Sequence, residues 1–312
     1  MDAMVVDHSA ATGLRLAEVA DPVPGDHEAL VRVEATSLNY GELAFGLAYA
    51  PDGTVPGYDA AGVVVHAARD GSGPGAGTRV LTVGTVGGWA EYRAVATDLI
   101  GVAPETASLA ALSAAGTAGA TALRAVRKLG SVLGRRVLVT GATGGVGRFA
   151  VQLAALAGAH VVALASDPTH FDGLRALGAQ EVVGAPEELG EPVAGVVDLV
   201  GGGVLASAFV KLESRGVLVS VGHAASAVAA FDYVAMFAAP EALHRHDRTI
   251  VTLHLPAETG LAPDLCWLAE AVATGRLDPQ IAWQGDWHRL PEAAAFLLDR
   301  KLHGKAVLTM PS

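Results

Sequence analysis

Residues Arg136 to Gly147 read R-V-L-V-T-G-A-T-G-G-V-G. After Arg136 comes a short apolar, largely β-branched run, the pattern of a buried strand. Glycine dominates the stretch after Thr140, and a helical apolar pattern then runs from Gly147 to Leu156. A glycine loop between strand and helix meets three demands at once. The chain turns sharply, its backbone approaches a pyrophosphate, and the helix packs close to the strand. Backbone N–H groups at the helix N-terminus then face the phosphates. In the usual register Ala142, Gly144 and Gly147 take the three key positions, with Gly141 and Gly145 added. The loop therefore predicts a dinucleotide site formed by Gly141, Thr143, Gly144, Gly145 and Val146.

The pattern extends outward from this loop. Ser108 to Leu129 and Phe171 to Leu177 read as helices. Arg136 to Thr140, Val161 to Ala165, Val182-Val183, Val196 to Val200, Val217 to Val221 and Thr249 to Leu253 read as strands. Apolar strands alternating with helices predict an α/β fold, a doubly wound parallel sheet covered on both faces. The chain before Pro104 differs. Ala29 to Glu34, Gly62 to His66 and Arg79 to Val83 are short strands separated by clusters such as D-G-S-G-P-G-A-G. They predict a compact β domain. Helices at Asp264 to Thr274 and Pro291 to Leu302 precede a last strand, Lys305 to Met310, expected to return to the first domain.

The end of the second strand bears on which dinucleotide is bound. Val161 to His170 reads V-V-A-L-A-S-D-P-T-H, with no acid until Asp167. An acid at the strand end would mark NAD by holding the ribose 2′-hydroxyl. Ser166 and His170 suit a 2′-phosphate, and Asp167 opposes one. The reading favours NADPH, with NADH as the alternative. Asp167 and Thr169 also suit a plain turn and cap.

Composition excludes several classes. A chain of 312 residues suggests about two domains. Its net charge of -11 is a poor match to nucleic acid or an anionic membrane surface. The apolar stretches Ser108 to Val126 and Val217 to Leu243 read as buried segments rather than membrane spans. The single cysteine, Cys266, provides no internal disulfide and no cysteine-rich zinc site. With no leader pattern in M-D-A-M-V-V-D-H, a cytoplasmic protein is expected. Tyr40, Tyr49, Tyr58, Tyr92 and Tyr233 are each followed four positions on by a residue other than Lys. Short-chain dehydrogenase chemistry, which needs that Lys, is excluded. No nucleophile elbow or phosphate-loop lysine motif is present. The group H-R-H-D, His244 to Asp247, reads as a solvated loop rather than a metal site.

Further motifs carry a resemblance. They are A-T-S-L-N-Y-G-E, P-G-Y-D-A-A-G-V-V, G-G-W-A-E-Y, A-G-A-T-A-L, the glycine loop, L-R-A-L-G-A and G-K-A-V-L. In this order, over nearly the whole length, they resemble the medium-chain dehydrogenase/reductase superfamily. The resemblance implies a GroES-like β-rich catalytic domain of residues 1–105 and 262–312. It implies a Rossmann domain of residues 106–261, with the active site in the cleft.

Zinc-dependent members hold their catalytic metal with Cys, His and Cys. Matched motif to motif, those positions here are Asn39, Tyr58 and Thr117, none a good zinc ligand. The four-cysteine structural lobe is missing as well. The resemblance is thus to the zinc-free branch, quinone oxidoreductases and enoyl reductases, with no metal expected. In that branch hydride goes to an electron-poor carbon, and hydrogen-bond donors stabilise the charge on the acceptor oxygen. Tyr58 is the first candidate donor. Tyr40 and Tyr49 compete, Tyr49 lying one residue short of a proton-donating Tyr of some enoyl reductases. Asn39 and Thr117 are expected in the same pocket, with Asp59 as an acidic orienter. Thr121, Gly222 and His223 are expected at the nicotinamide. Where many quinone-reductase-like chains carry Lys, this one has His170, a weaker phosphate partner.

The function expected is NADPH-dependent reduction of an activated C=C bond in an uncharged enone, a quinone or an enoyl thioester. The alternatives are a zinc-free ketone or aldehyde reductase, and an NADPH-binding protein without turnover. A homodimer is expected through Thr249 to Leu253, with no nucleic-acid or membrane partner.

Overall fold

The computed structural model describes residues 1–10, 12–222, 224–225, 228–238 and 245–310. The chain begins with β1 (Asp2–Val6), β2 (Leu14–Glu18) and β3 (Glu28–Ser37). A π-helical turn (Glu42–Gly46) runs into the short α1 (Leu47–Tyr49). Then come β4 (Asp59–His66), β5 (Arg79–Val83), β6 (Tyr92–Ala96) and β7 (Ile100–Val102). The long α2 (Leu109–Lys128) leads to β8 (Arg136–Val139), α3 (Gly145–Leu156) and β9 (His160–Leu164). Next are α4 (Phe171–Ala176), β10 (Glu181–Val183), β11 (Val193–Asp198), α5 (Gly202–Val210), β12 (Leu212–Ser220) and β13 (Thr249–Thr252). The chain closes with α6 (Ala262–Ala273), β14 (Ile281–Asp286), α7 (Leu290–Leu298) and β15 (Lys305–Thr309).

Two compact units result: Met1–Ala120 with Leu255–Ser312, and Thr121–His254. The division falls inside α2. That helix is long and apolar enough to cross a membrane, but 78% of its most apolar window is buried within the fold.

The second unit is a six-stranded sheet in the order β10-β9-β8-β11-β12-β13. All its pairings are parallel. Counted along the chain this is the order 3-2-1-4-5-6, so the sheet reverses direction of winding between β8 and β11. Leu138, Val162, Val196 and Leu218 fill its interior.

The first unit holds a sheet in the order β14-β15-β3-β4-β5-β7, with β6 also on β3. The last strand does return: β15 lies antiparallel to β3, pairing Val307 with Ser37 and Thr309 with Ala35. Most strands lie where the apolar runs place them, though β4, β11 and β12 begin earlier, at Asp59, Val193 and Leu212; two further ends differ for physical reasons. β3 continues past Glu34 to Ser37 because the hydroxyls of Thr36 and Ser37 are satisfied at Asp59 while buried. Helix α7 stops at Leu298 rather than Leu302. Arg300 enters the left-handed region at φ 58°, and Lys301 N–H donates back to the Phe296 carbonyl.

Candidate active site

The stretch Pro56-Gly57-Tyr58-Asp59 leads into β4. It is stapled to Gly87–Trp89: Gly88 N–H donates to the Gly57 carbonyl at 3.0 Å, and Trp89 N–H to Pro56 at 3.0 Å. Gly57 adopts φ 113°, and a Cβ there would lie 2.3 Å from the Trp89 nitrogen, so only glycine fits.

Asp59 is fully buried. Its Oδ2 accepts from Ser37 Oγ at 2.8 Å, Asn39 Nδ2 at 2.8 Å and Lys305 Nζ at 3.4 Å. Its Oδ1 accepts the Thr117 N–H at 2.5 Å. Lys305 also donates to the Leu38 carbonyl at 2.9 Å and to Asn39 Oδ1 at 2.7 Å. Asn39 and Thr117 therefore meet at one carboxylate, with Asp59 as the hub. Both polar ends of the Asn39 side chain are engaged there.

Two more charges complete the cluster. Glu42 is buried, with Oε1 accepting the Tyr58 N–H at 2.5 Å and Oε2 the Asn39 N–H at 3.2 Å. Arg93, also buried, donates to the carbonyl of Tyr58 at 3.2 Å and to Thr82 Oγ1 at 3.0 Å. Asp59 and Lys305 form a buried ion pair, whereas Glu42 and Arg93 are held by backbone groups and, for Arg93, the Thr82 hydroxyl. Burial, then the neighbouring Asp59, pushes the Glu42 carboxyl up to about 8. Burial pulls Arg93 down to about 10, against the attraction of Asp59 and Glu42. Lys305 is likewise pulled below its ordinary range by burial, with Asp59 and Glu42 opposing. Sequence reading missed Glu42, Arg93 and Lys305. Their signal was a charge inside or beside an apolar run, as in Y-R-A-V-A and K-A-V-L-T.

A pocket of about 320 Å³ opens beside this cluster. Tyr58 and Glu42 line it together with Leu47, Pro51, Pro56 and Val86. Burial, then Glu42, raises the Tyr58 hydroxyl above its ordinary value. Tyr49 is also on the lining but is 87% exposed. Tyr40 stacks edge-on against Phe45, with ring centres 6.4 Å apart. Tyr40, Asn39 and Thr117 are not among the residues lining this pocket.

In the second unit, the glycine loop sits where the parallel sheet changes winding direction, the position at which such sheets bind ligands. A Cβ on Gly147 would stand 2.2 Å from the Gly141 carbonyl oxygen, so α3 packs close to the strand end. A Cβ on Gly144 would meet nothing nearer than 3.5 Å, which leaves the loop open on that side. Gly145 and Val146 open the first turn of α3. This cradle fits a pyrophosphate. Behind it, Thr140 Oγ1 donates to Asp198 Oδ1 at 2.7 Å, and Gly201 N–H donates to Asp198 Oδ2 at 3.0 Å. Asp198 is buried, and burial raises its carboxyl against the Thr140 bond. These bonds tie the end of β11 to the end of β8, and sequence reading missed them.

Ser166 is exposed just past β9, and His170 is half-buried ahead of α4. Asp167 Oδ1 accepts the Thr169 N–H at 2.9 Å, so Asp167 caps the turn as one reading expected. Thr121 is buried within α2. The Gly222 N–H donates to the Asp198 carbonyl at 3.4 Å. His223 and His244 lie outside the described residues. Arg245 binds the Val210 carbonyl at 2.8 Å, and His246 pairs with Asp247 in the open. Among the described residues, no group of three or more His, Cys, Asp or Glu could hold a metal ion.

Residues 25–105 match the family model described as alcohol dehydrogenase GroES-like domain. Residues 145–262 match the one described as zinc-binding dehydrogenase, a span here without cysteine. The chain is 35% identical over 254 residues to the acrylyl-CoA reductase of Ruegeria pomeroyi, covering 72% of this chain and 76% of that one. It is 32% identical over 238 residues to the 2-methylene-furan-3-one reductase of Solanum lycopersicum, covering 69% of this chain and 61% of that one. Over its whole length it is similar to the quinone oxidoreductase structure from Coxiella burnetii, with TM-score 0.84 and 25% identity, covering 99% of that chain.

Proposed function

Because the chain belongs to the medium-chain dehydrogenase/reductase superfamily, in its quinone oxidoreductase and enoyl reductase-like branch of oxidoreductases, we propose that it reduces an activated C=C bond of an uncharged enone or quinone with NADPH. The observation that carries this reading is the pocket beside Tyr58. Its wall is mostly apolar, and no Lys, Arg or His lines it. An uncharged acceptor suits that wall better than a thioester with a polyphosphate handle.

NADPH supplies a hydride when bound. The chain's own residues do the rest. Negative charge grows on the acceptor oxygen, and Tyr58 donates a hydrogen bond to it from a hydroxyl that stays protonated at neutral pH. Asn39 and Thr117, both fixed at Asp59, are assigned to orienting the site. Tyr49, at the rim, is the second candidate donor. On the nucleotide side, the glycine loop holds the pyrophosphate and Ser166 and His170 meet the 2′-phosphate. Thr121, Gly222 and His223 are assigned to the nicotinamide in this reading. A zinc-independent, cytoplasmic homodimer joined along β13 completes it.

The test is NADPH consumption against a panel of quinones, enones and enoyl thioesters, with the Tyr58→Phe variant in parallel. Wild-type turnover on uncharged acceptors is expected. Tyr58→Phe should lose about tenfold or more while NADPH affinity holds. Tight NADPH binding without consumption across the panel would sink the enzyme reading.

A further inference from the structure

Tyr58 meets the π-helical turn Glu42–Gly46 at both of that turn's ends. At one end its N–H donates to Glu42 Oε1 at 2.5 Å. At the other, its hydroxyl oxygen lies 3.0 Å from where a Cβ on Gly46 would stand. The backbone of Tyr58 has little freedom, since Arg93 also holds its carbonyl. Glu42 is held in turn by the Asn39 N–H. What remains free is the swing of the phenol ring, and Gly46 stands where that swing ends. Gly46 sits at φ -58° and ψ -50°, ordinary right-handed helix, so the backbone itself does not need a glycine. Alanine would be the better helix former there. The missing side chain gives something else: room for a hydroxyl in the pocket that both residues line.

We propose that Gly46 and Glu42 are positioning residues for the Tyr58 hydroxyl, Glu42 anchoring the backbone and Gly46 keeping the hydroxyl's place open. The inference rests on the reading of Tyr58 as donor to the acceptor oxygen. Donors of this kind act over about 2.7–3.1 Å, and a misplacement of about 1 Å costs on the order of 100-fold in rate. A methyl group at Gly46 would push the hydroxyl aside by a few tenths of an ångström, enough to lengthen a bond in that range.

The Gly46→Ala variant of the full chain tests this. The expected result is a fall in kcat of about threefold or more, with the NADPH KM unchanged and the unfolding temperature equal or higher. In a Tyr58→Phe background the same substitution should change kcat less than about twofold. Wild-type turnover in Gly46→Ala, or full additivity with Tyr58→Phe, would overturn the proposal. If Tyr58→Phe itself keeps wild-type turnover, the donor reading fails, and the positioning claim is judged on NMR alone. The ring and Cζ resonances of Tyr58 should then move in Gly46→Ala, and the Tyr58 and Asn39 amide protons in Glu42→Gln. Resonances unmoved in both variants would refute it.

Discussion

Glu42 carries the most information of any single side chain. Its folded carboxyl sits near 8 because burial and Asp59 disfavour its charge, whereas in the unfolded chain it titrates near 4.5. Between those values the folded protein keeps a proton that the unfolded chain has released. Stability therefore falls as pH rises through that window, by about 1 kcal/mol per pH unit from this group. Glu42→Gln should flatten that slope in denaturant titrations run from pH 5 to 8, and an unchanged slope would assign the proton elsewhere. Lys305 poses the opposite problem. Removing it leaves Asp59 buried without its cation, so Lys305→Met should destabilise by about 3–5 kcal/mol. A loss below about 1 kcal/mol in chemical denaturation would contradict the pairing. Neither residue was legible as part of the site from sequence. A lone charge in a strand announces a partner but not which one. Tyr58 and Asn39 were legible because motif order placed them. Asp59 was legible beside them as an orienter; their fixing by Glu42 was not, since an acid in a helical turn does not show which N–H groups it takes.

At the scale of elements, the apolar strands of the parallel sheet and the glycine loop could be read directly. β-branched runs such as Val161 to Leu164 have few other uses. β2 and β14 escaped because neither has a fully buried face: β2 buries Leu14 alone, and β14 alternates only between half-buried and exposed positions, with Ala282 apolar on its exposed side. The π-helical turn escaped as well, because its extra residue per turn has no local signature. The glycine loop supports a direct prediction. In Gly147→Ala the new methyl meets the Gly141 carbonyl, so α3 must move away from β8. NADPH affinity should fall at least tenfold, and the unfolding temperature should drop with it. Calorimetry and a binding titration check both. An unperturbed titration would mean the loop tolerates the shift and does not hold the phosphates.

At the scale of the whole molecule, β13 is one edge of the parallel sheet, with Ile250 exposed on it and no strand paired beyond it among the described residues. An uncovered edge strand invites a second copy. If the homodimer forms there, Ile250→Lys should lower the mass seen by sedimentation to that of one chain. An unchanged dimer would place the interface elsewhere.

The pairing of Asp59 with Lys305 has a consequence in time. The two residues are 246 positions apart, and the entire second unit is made between them. At about 5–20 residues per second, a ribosome takes on the order of tens of seconds to cover that interval. During it the emerging first unit holds an acid whose cation does not yet exist. Its sheet also lacks the neighbour that β3 needs on that side. The second unit, continuous in the chain, can fold first and wait. Pulsed proteolysis of stalled nascent chains should find the glycine-loop unit protected well before the sheet that carries Tyr58.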